Sequence, residues 1–119
     1  MLLKQYSSGV EILSVDEDKL RKKIKEIVQE IKAEHTEVKE VILFGSFSKG
    51  DFTPYSDIDI AIVIDKTDKK FIERNDDFID YFIDIPFDVN LVIYTSDEFL
   101  GFKRSKNKLI GEIIEGIRC

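Results

Sequence analysis

The spacing of apolar residues along this chain changes period several times, and each change predicts an element. From Asp16 the period is helical: Leu20, Ile24, Ile27, Val28 and Ile31 fall at i, i+4, i+7, i+8 and i+11, with Lys and Glu between them. Asp16, Glu17 and Asp18 crowd the first turn, where the helix dipole favours acids, and His35 near the other end reads as a surface or helix-terminal residue. Val38 to Phe44 predicts a strand. Ile58 to Asp65 predicts a second, nearly continuous in apolar residues and therefore central and covered on both faces. Phe71, Ile72, Asn75, Phe78, Ile79 and Phe82 return to helical spacing and predict an amphipathic helix over about Lys69 to Ile83, its aromatic stripe facing the core. Pro86 cannot continue that helix, and Phe87 to Tyr94 reads as a third strand. Thr95 with Glu98 matches a capping box, which opens a helix over Asp97 to Arg104. A last helix carries Leu109, Ile110, Ile113, Ile114 and Ile117 on one face and is weakened by Gly111 and Gly116. Before Asp16 the only signal is a short strand or docking segment at Val10, Ile12 and Leu13.

Size and charge narrow the classes. The 119 residues suit one domain, residues 1–119, and 43% hydrophobic content is enough for a core. A net charge of -6 opposes a broad grip on a nucleic-acid backbone, which needs a basic stripe. Lys103, Arg104, Lys106 and Lys108 supply either a local basic patch or a solvated helix face. The single cysteine, Cys119, allows no internal disulfide framework, and no apolar run approaches a membrane span. The expectation is a cytoplasmic protein with no membrane association.

The chemistry concentrates between Val41 and Asp65. The first strand breaks at Gly45-Ser46, and the second opens on Asp57 and Asp59. Side chains alternate along a strand, so the two acids share a face, roughly 6–7 Å apart. Two carboxylates so placed can share Mg²⁺, which takes oxygen ligands and keeps positions open for substrate phosphates. Gly45 allows close approach of the backbone, and Ser46 adds a hydroxyl and an N–H at a helix start expected over Phe47 to Asp51, where anions are favoured. The plain alternative makes Gly45-Ser46 an ordinary turn and the acids solvated residues at a strand end. Aspartate is depleted in strands, however, and two of them leading into an apolar run are a poor choice without a role.

Gly45, Ser46, Gly50, Ser56, Asp57 and Asp59 match the pattern GSxxxGxxxxxSDxD. In this the chain resembles the DNA polymerase beta-like nucleotidyltransferases, and most closely their minimal nucleotidyltransferase (MNT) branch, over about Glu40 to Thr95. The resemblance implies an α/β (α+β) fold with a small mixed β-sheet, helices packed mainly on one face, and the acids grouped at one sheet edge. It implies Mg²⁺, two ions in a full site, with ATP as the substrate and AMP as the transferred group. Asp57, Asp59 and a third carboxylate would be the catalytic and metal-holding residues; Gly45 and Ser46 would hold the phosphates, with Lys49 as a further contact and Ser56 bracing the acid pair. The third carboxylate is expected at Asp88, early in the third strand, with Asp84 as its competitor. Asn90, on the same face as Asp88, is a supporting donor or merely tolerated. Larger relatives append a helical domain that holds the acceptor, and nothing after Tyr94 is long enough for one. The resemblance therefore implies an acceptor on another chain: a small helical HEPN-domain protein, with this chain as the antitoxin that adenylylates it. The Ile110, Ile113, Ile114 and Ile117 face of the last helix either closes the core or docks another protein, a second copy of this chain or a helical partner. A reading from another class is a binding module that neutralises a partner by contact.

Overall fold

The computed structural model describes residues 2–7, 10–45, 56–105 and 108–119. Helix α1, Glu17–Glu34, starts where Asp16 accepts a bond from the Lys19 N–H at 3.1 Å and ends at His35. Its apolar positions Leu20, Ile24, Ile27, Val28 and Ile31 are all buried, as the periodicity predicts. Each such side chain contributes about 1.5–3 kcal/mol relative to full exposure. The charged Lys and Glu positions face water, so one wrong substitution on the apolar face, Leu20→Asp for instance, would detach the helix.

Four strands form the main sheet in the order β5-β4-β3-β6, from β3 Val38–Phe44, β4 Ile58–Ile64, β5 Val89–Thr95 and β6 Ile117–Arg118. Strands β4 and β5 run parallel, while β3 is antiparallel to both β4 and β6. The sheet is thus mixed, and the fold is α+β. A separate antiparallel hairpin, β1 Leu2–Ser7 with β2 Val10–Val15, precedes α1, where the sequence predicts only one short strand.

Period-two alternation on β4 builds two cores. Ile58, Ile60, Ile62 and Ile64 join the α1 side chains with Phe78 and Phe82 in the larger cluster. Ala61 and Val63 join Ile42, Phe44, Tyr94, Phe99 and Ile113 in a smaller one on the opposite face. That second face is covered by α2, Ser96–Arg104, and α3, Lys108–Ile114. The packing is weighted to the α1 face but is two-sided. The Thr95 hydroxyl accepts from the Glu98 N–H at 3.2 Å, and the Glu98 carboxylate accepts from the Thr95 N–H at 2.9 Å, so the predicted capping box is present.

Two expected elements differ. The helix predicted over Lys69 to Ile83 is instead a pair of 3-10 turns, Phe71–Asp77 and Ile79–Phe82. Side chains from the first turn bond across to the β5 backbone: Arg74 donates to the Ile93 carbonyl at 3.1 Å and Asn75 to the Leu91 carbonyl at 3.1 Å. Arg74 is buried and also donates to Glu98 at 2.5 Å, tying the turn to α2. Those crossed bonds hold the segment against β5 in a form that a continuous helix does not provide. Ile117 and Gly116 lie beyond α3 rather than in it. A Cβ on Gly116 would come within 2.4 Å of the Leu43 carbonyl oxygen, so glycine permits the approach that lets β6 pair with β3. Of the apolar stripe predicted for the last helix, Ile113 is fully buried and closes the smaller core, while Leu109, Ile114 and Ile117 remain exposed. No helix among the described residues is long and apolar enough to cross a membrane.

Candidate active site

The site lies where β3 ends and β4 and β5 begin. Asp59 stands opposite Phe44, the last residue of β3, and opposite Asn90 on β5. By alternation Asp57 and Asp59 continue the row of Ala61 and Val63, so both acids are on the α2 and α3 face of the sheet. Asp57 is exposed and Asp59 half-buried.

One amide touches both acids. Asn90 Nδ2 lies 3.3 Å from Asp57 Oδ2 and 3.0 Å from Asp59 Oδ1. Ionised carboxylates only accept, so the NH₂ end of Asn90 must face them, one N–H toward each. The shared face predicted for the pair is therefore present, and an oxygen from each acid converges on a single point.

Gly45 shapes the other side of Asp59. Its φ is +75°, in the left-handed region that L side chains rarely adopt. A Cβ built there would fall 2.1 Å from Asp59 Oδ2. Glycine is thus required twice over, for the turn that ends β3 and for the space that the carboxylate fills. The expected close approach at Gly45 is made by the Asp59 side chain.

Asp88 is exposed and immediately precedes β5; its carbonyl accepts from the Ile58 N–H at 2.8 Å, which sets it beside Asp57 in the parallel register. It also borders a shallow groove with Phe82, Ile85 and Phe87. Asp84 sits in the turn before Pro86 and borders a different groove, with Glu30 and Tyr81. Ser56 is half-buried next to Asp57. Ser46, Lys49 and Gly50, with the helix expected over Phe47 to Asp51, lie outside the described residues. The sequence reading left Asn90 without a fixed role; the signal was its two-residue spacing from Asp88, but its contact with the acid pair depends on the β4-β5 register.

Among the described residues, no group of three or more His, Cys, Asp or Glu side chains is gathered closely enough to hold a metal ion alone. The convergence of one oxygen from Asp57 and one from Asp59 still fits a divalent cation. Mg²⁺ is commonly held by one or two carboxylates and completes its shell with water and substrate phosphate. The hard, all-oxygen donor set suits that ion rather than a softer one.

A family model described as "Nucleotidyltransferase domain" matches residues 21–115. A protein of Methanocaldococcus jannaschii named "Putative protein adenylyltransferase" is 51% identical over 45 residues, which is 37% of this chain and 45% of that relative. The chain thus matches less than half the length of that relative. The crystal structure of "a putative nucleotidyltransferase" from Sulfolobus solfataricus superposes with a TM-score of 0.57 at 28% identity, over 69% of this chain and 72% of that one. A toxin–antitoxin structure with AMP-PNP aligns at a TM-score of 0.49 and 24% identity, over 87% of this chain and 72% of that one.

Proposed function

The chain belongs to the nucleotidyltransferase domain family, and from that premise we propose that it transfers AMP from ATP to a hydroxyl group on a partner protein. The observation that carries this reading is the convergence of Asp57 and Asp59 on one point, over the space left by Gly45. The name of the M. jannaschii relative supports protein as the acceptor and adenylyl as the group.

Roles follow from position. Asp57 and Asp59 would hold the cation, whose charge would offset that of the triphosphate and the leaving pyrophosphate. Gly45 and Ser46 would receive the terminal phosphates, with Lys49 as a further contact. Asp88, exposed and next to Asp57 in register, takes the proton of the acceptor hydroxyl. The acceptor oxygen then bonds to the alpha-phosphorus as the bond from that phosphorus to the bridging oxygen of pyrophosphate breaks. Alignment of these groups, rather than covalent catalysis by the protein, supplies the rate.

In the proposed setting the acceptor is a helical HEPN-domain partner and this chain its antitoxin, as the resemblance of the GS…DxD motif implies. Ile114 and Ile117 are exposed apolar positions that such a partner would cover. The test is transfer of label from alpha-labelled ATP to the partner in Mg²⁺. Asp57→Asn and Asp59→Asn should each remove several kcal/mol of transition-state stabilisation, roughly a hundredfold or more in rate. Wild-type transfer by either folded variant would overturn the assignment.

A further inference from the structure

Residue 90 stands directly beside the acid pair. It is directly opposite Asp59 in the parallel register, and its side chain reaches both Asp57 and Asp59. In this chain the residue is an amide. Its NH₂ end contacts an oxygen of each acid that would hold the cation, and it carries no charge of its own. We propose that Asn90 is a positioning residue that holds the empty acid pair in register and keeps its affinity for a free divalent cation low, so that the cation enters together with the nucleotide.

Asp57 and Asp59 are like charges on one sheet face, and such neighbours repel. Two N–H donors aimed at them offset part of that repulsion without adding a net charge. An aspartate at the same place would set a further negative charge directly against the Asp57 and Asp59 carboxylates and strengthen attraction for a bare cation. Ligand charge count is a main determinant of affinity in oxygen-ligand sites. With asparagine there, the missing charge has to come from the triphosphate. A cation approaching the pair must also displace the NH₂ group. Rotation of the amide can then present its oxygen, an acceptable hard ligand. The side chain of Asn90 is exposed, so this turn meets no packing obstacle.

The inference rests on the reading of Asp57 and Asp59 as a cation-holding pair, and the two can fail separately. The experiment is calorimetric titration of the whole chain with MgCl₂ alone, then with Mg²⁺ and a non-hydrolysable ATP analogue. Wild type, Asn90→Asp, Asn90→Ala and Asp57→Asn are compared. Asn90→Asp should bind Mg²⁺ alone at least about tenfold more tightly than wild type. Its melting temperature should rise more on adding MgCl₂, because the ion relieves one more like charge than in wild type. Asn90→Ala, which removes the donor that the ion must displace and adds no charge, should bind Mg²⁺ alone no more weakly than wild type. A purely structural role for the amide would instead weaken Mg²⁺ binding in Asn90→Ala, where no charge is added and the acid pair loses the support of this side chain. Equal affinity of wild type and Asn90→Asp for Mg²⁺ alone would overturn the proposal for Asn90. If Asp57→Asn instead binds Mg²⁺ with the analogue as tightly as wild type, it is the reading of the acid pair that fails.

Discussion

Replacing Gly45 with alanine probes the site at its tightest point. Two separate costs follow from the geometry. The backbone at φ +75° is disfavoured for any L side chain, by about 1–2 kcal/mol. A stiffer unfolded chain returns about 0.4–1 kcal/mol of that. The new Cβ would also lie 2.1 Å from Asp59 Oδ2, against an ordinary contact of 3.4 Å or more, so the carboxylate must move by more than an ångström. That movement breaks the 3.0 Å contact with Asn90, a bond to a charged group contributing about 1 kcal/mol once its partial exposure is discounted. The expected net loss of stability is about 1–3 kcal/mol. The functional loss should be larger: misplacing a reacting group by 1 Å can cost about a hundredfold in rate. Urea denaturation measures the first quantity and AMP transfer the second. A double-mutant cycle with Asp59→Ala separates the two costs, because without the carboxylate only the backbone contribution remains. The reasoning is refuted if Gly45→Ala destabilises equally in both backgrounds, or if the folded variant transfers AMP at the wild-type rate.

Further outcomes follow from the packing. Glu98→Ala removes the carboxylate partner of buried Arg74 together with half of the Thr95 capping box, and should cost about 2–4 kcal/mol by denaturant melt; a loss under 1 kcal/mol would show that the pair contributes little. The Arg74 guanidinium is the main cause that holds the Glu98 carboxyl below its ordinary 4.5. Its contribution is therefore fully present above that value and lost as pH falls through the lower folded-state value, so stability measured from pH 6 down to pH 3 should fall less steeply in Glu98→Gln. Ile113→Asp places a charge at a fully buried position and should destabilise by more than about 3 kcal/mol. Ile114→Asp, at a position 40% exposed, should stay within about 1 kcal/mol of wild type while weakening association with a partner that docks on this face; thermal melts and sedimentation read the two effects.

Features set by neighbours in the chain were legible without coordinates. Helix α1 could be read from its apolar spacing, and the start of α2 from Thr95 and Glu98, because helix faces and caps depend on residues three or four apart. Strands β3 and β4 were legible as apolar runs, and Asp57 and Asp59 as a same-face pair, for the equivalent reason on a strand. The motif around Gly45 pointed to the family for which the model match was found. The segment after Lys69 was misread because its apolar spacing suits a helix. The bonds that decide its form run from Arg74 and Asn75 to β5, sixteen or more residues away. Ile117 was misread because nothing local shows that Gly116 lets the chain close on β3.

By itself, then, the sequence determined which residues could do chemistry, and on which face of which element they stand. Only the tertiary structure decided which of them meet. The parallel register of β4 and β5 sets Asn90 against Asp59 and leaves Asp88 one step further out, beside Asp57. The turn at the end of β3 sets Gly45 under the Asp59 carboxylate. Both are pairings between segments distant in the chain, and their energies depend on a whole sheet closing at once. Period and composition record the local preferences of a segment; they carry no record of which partner it takes.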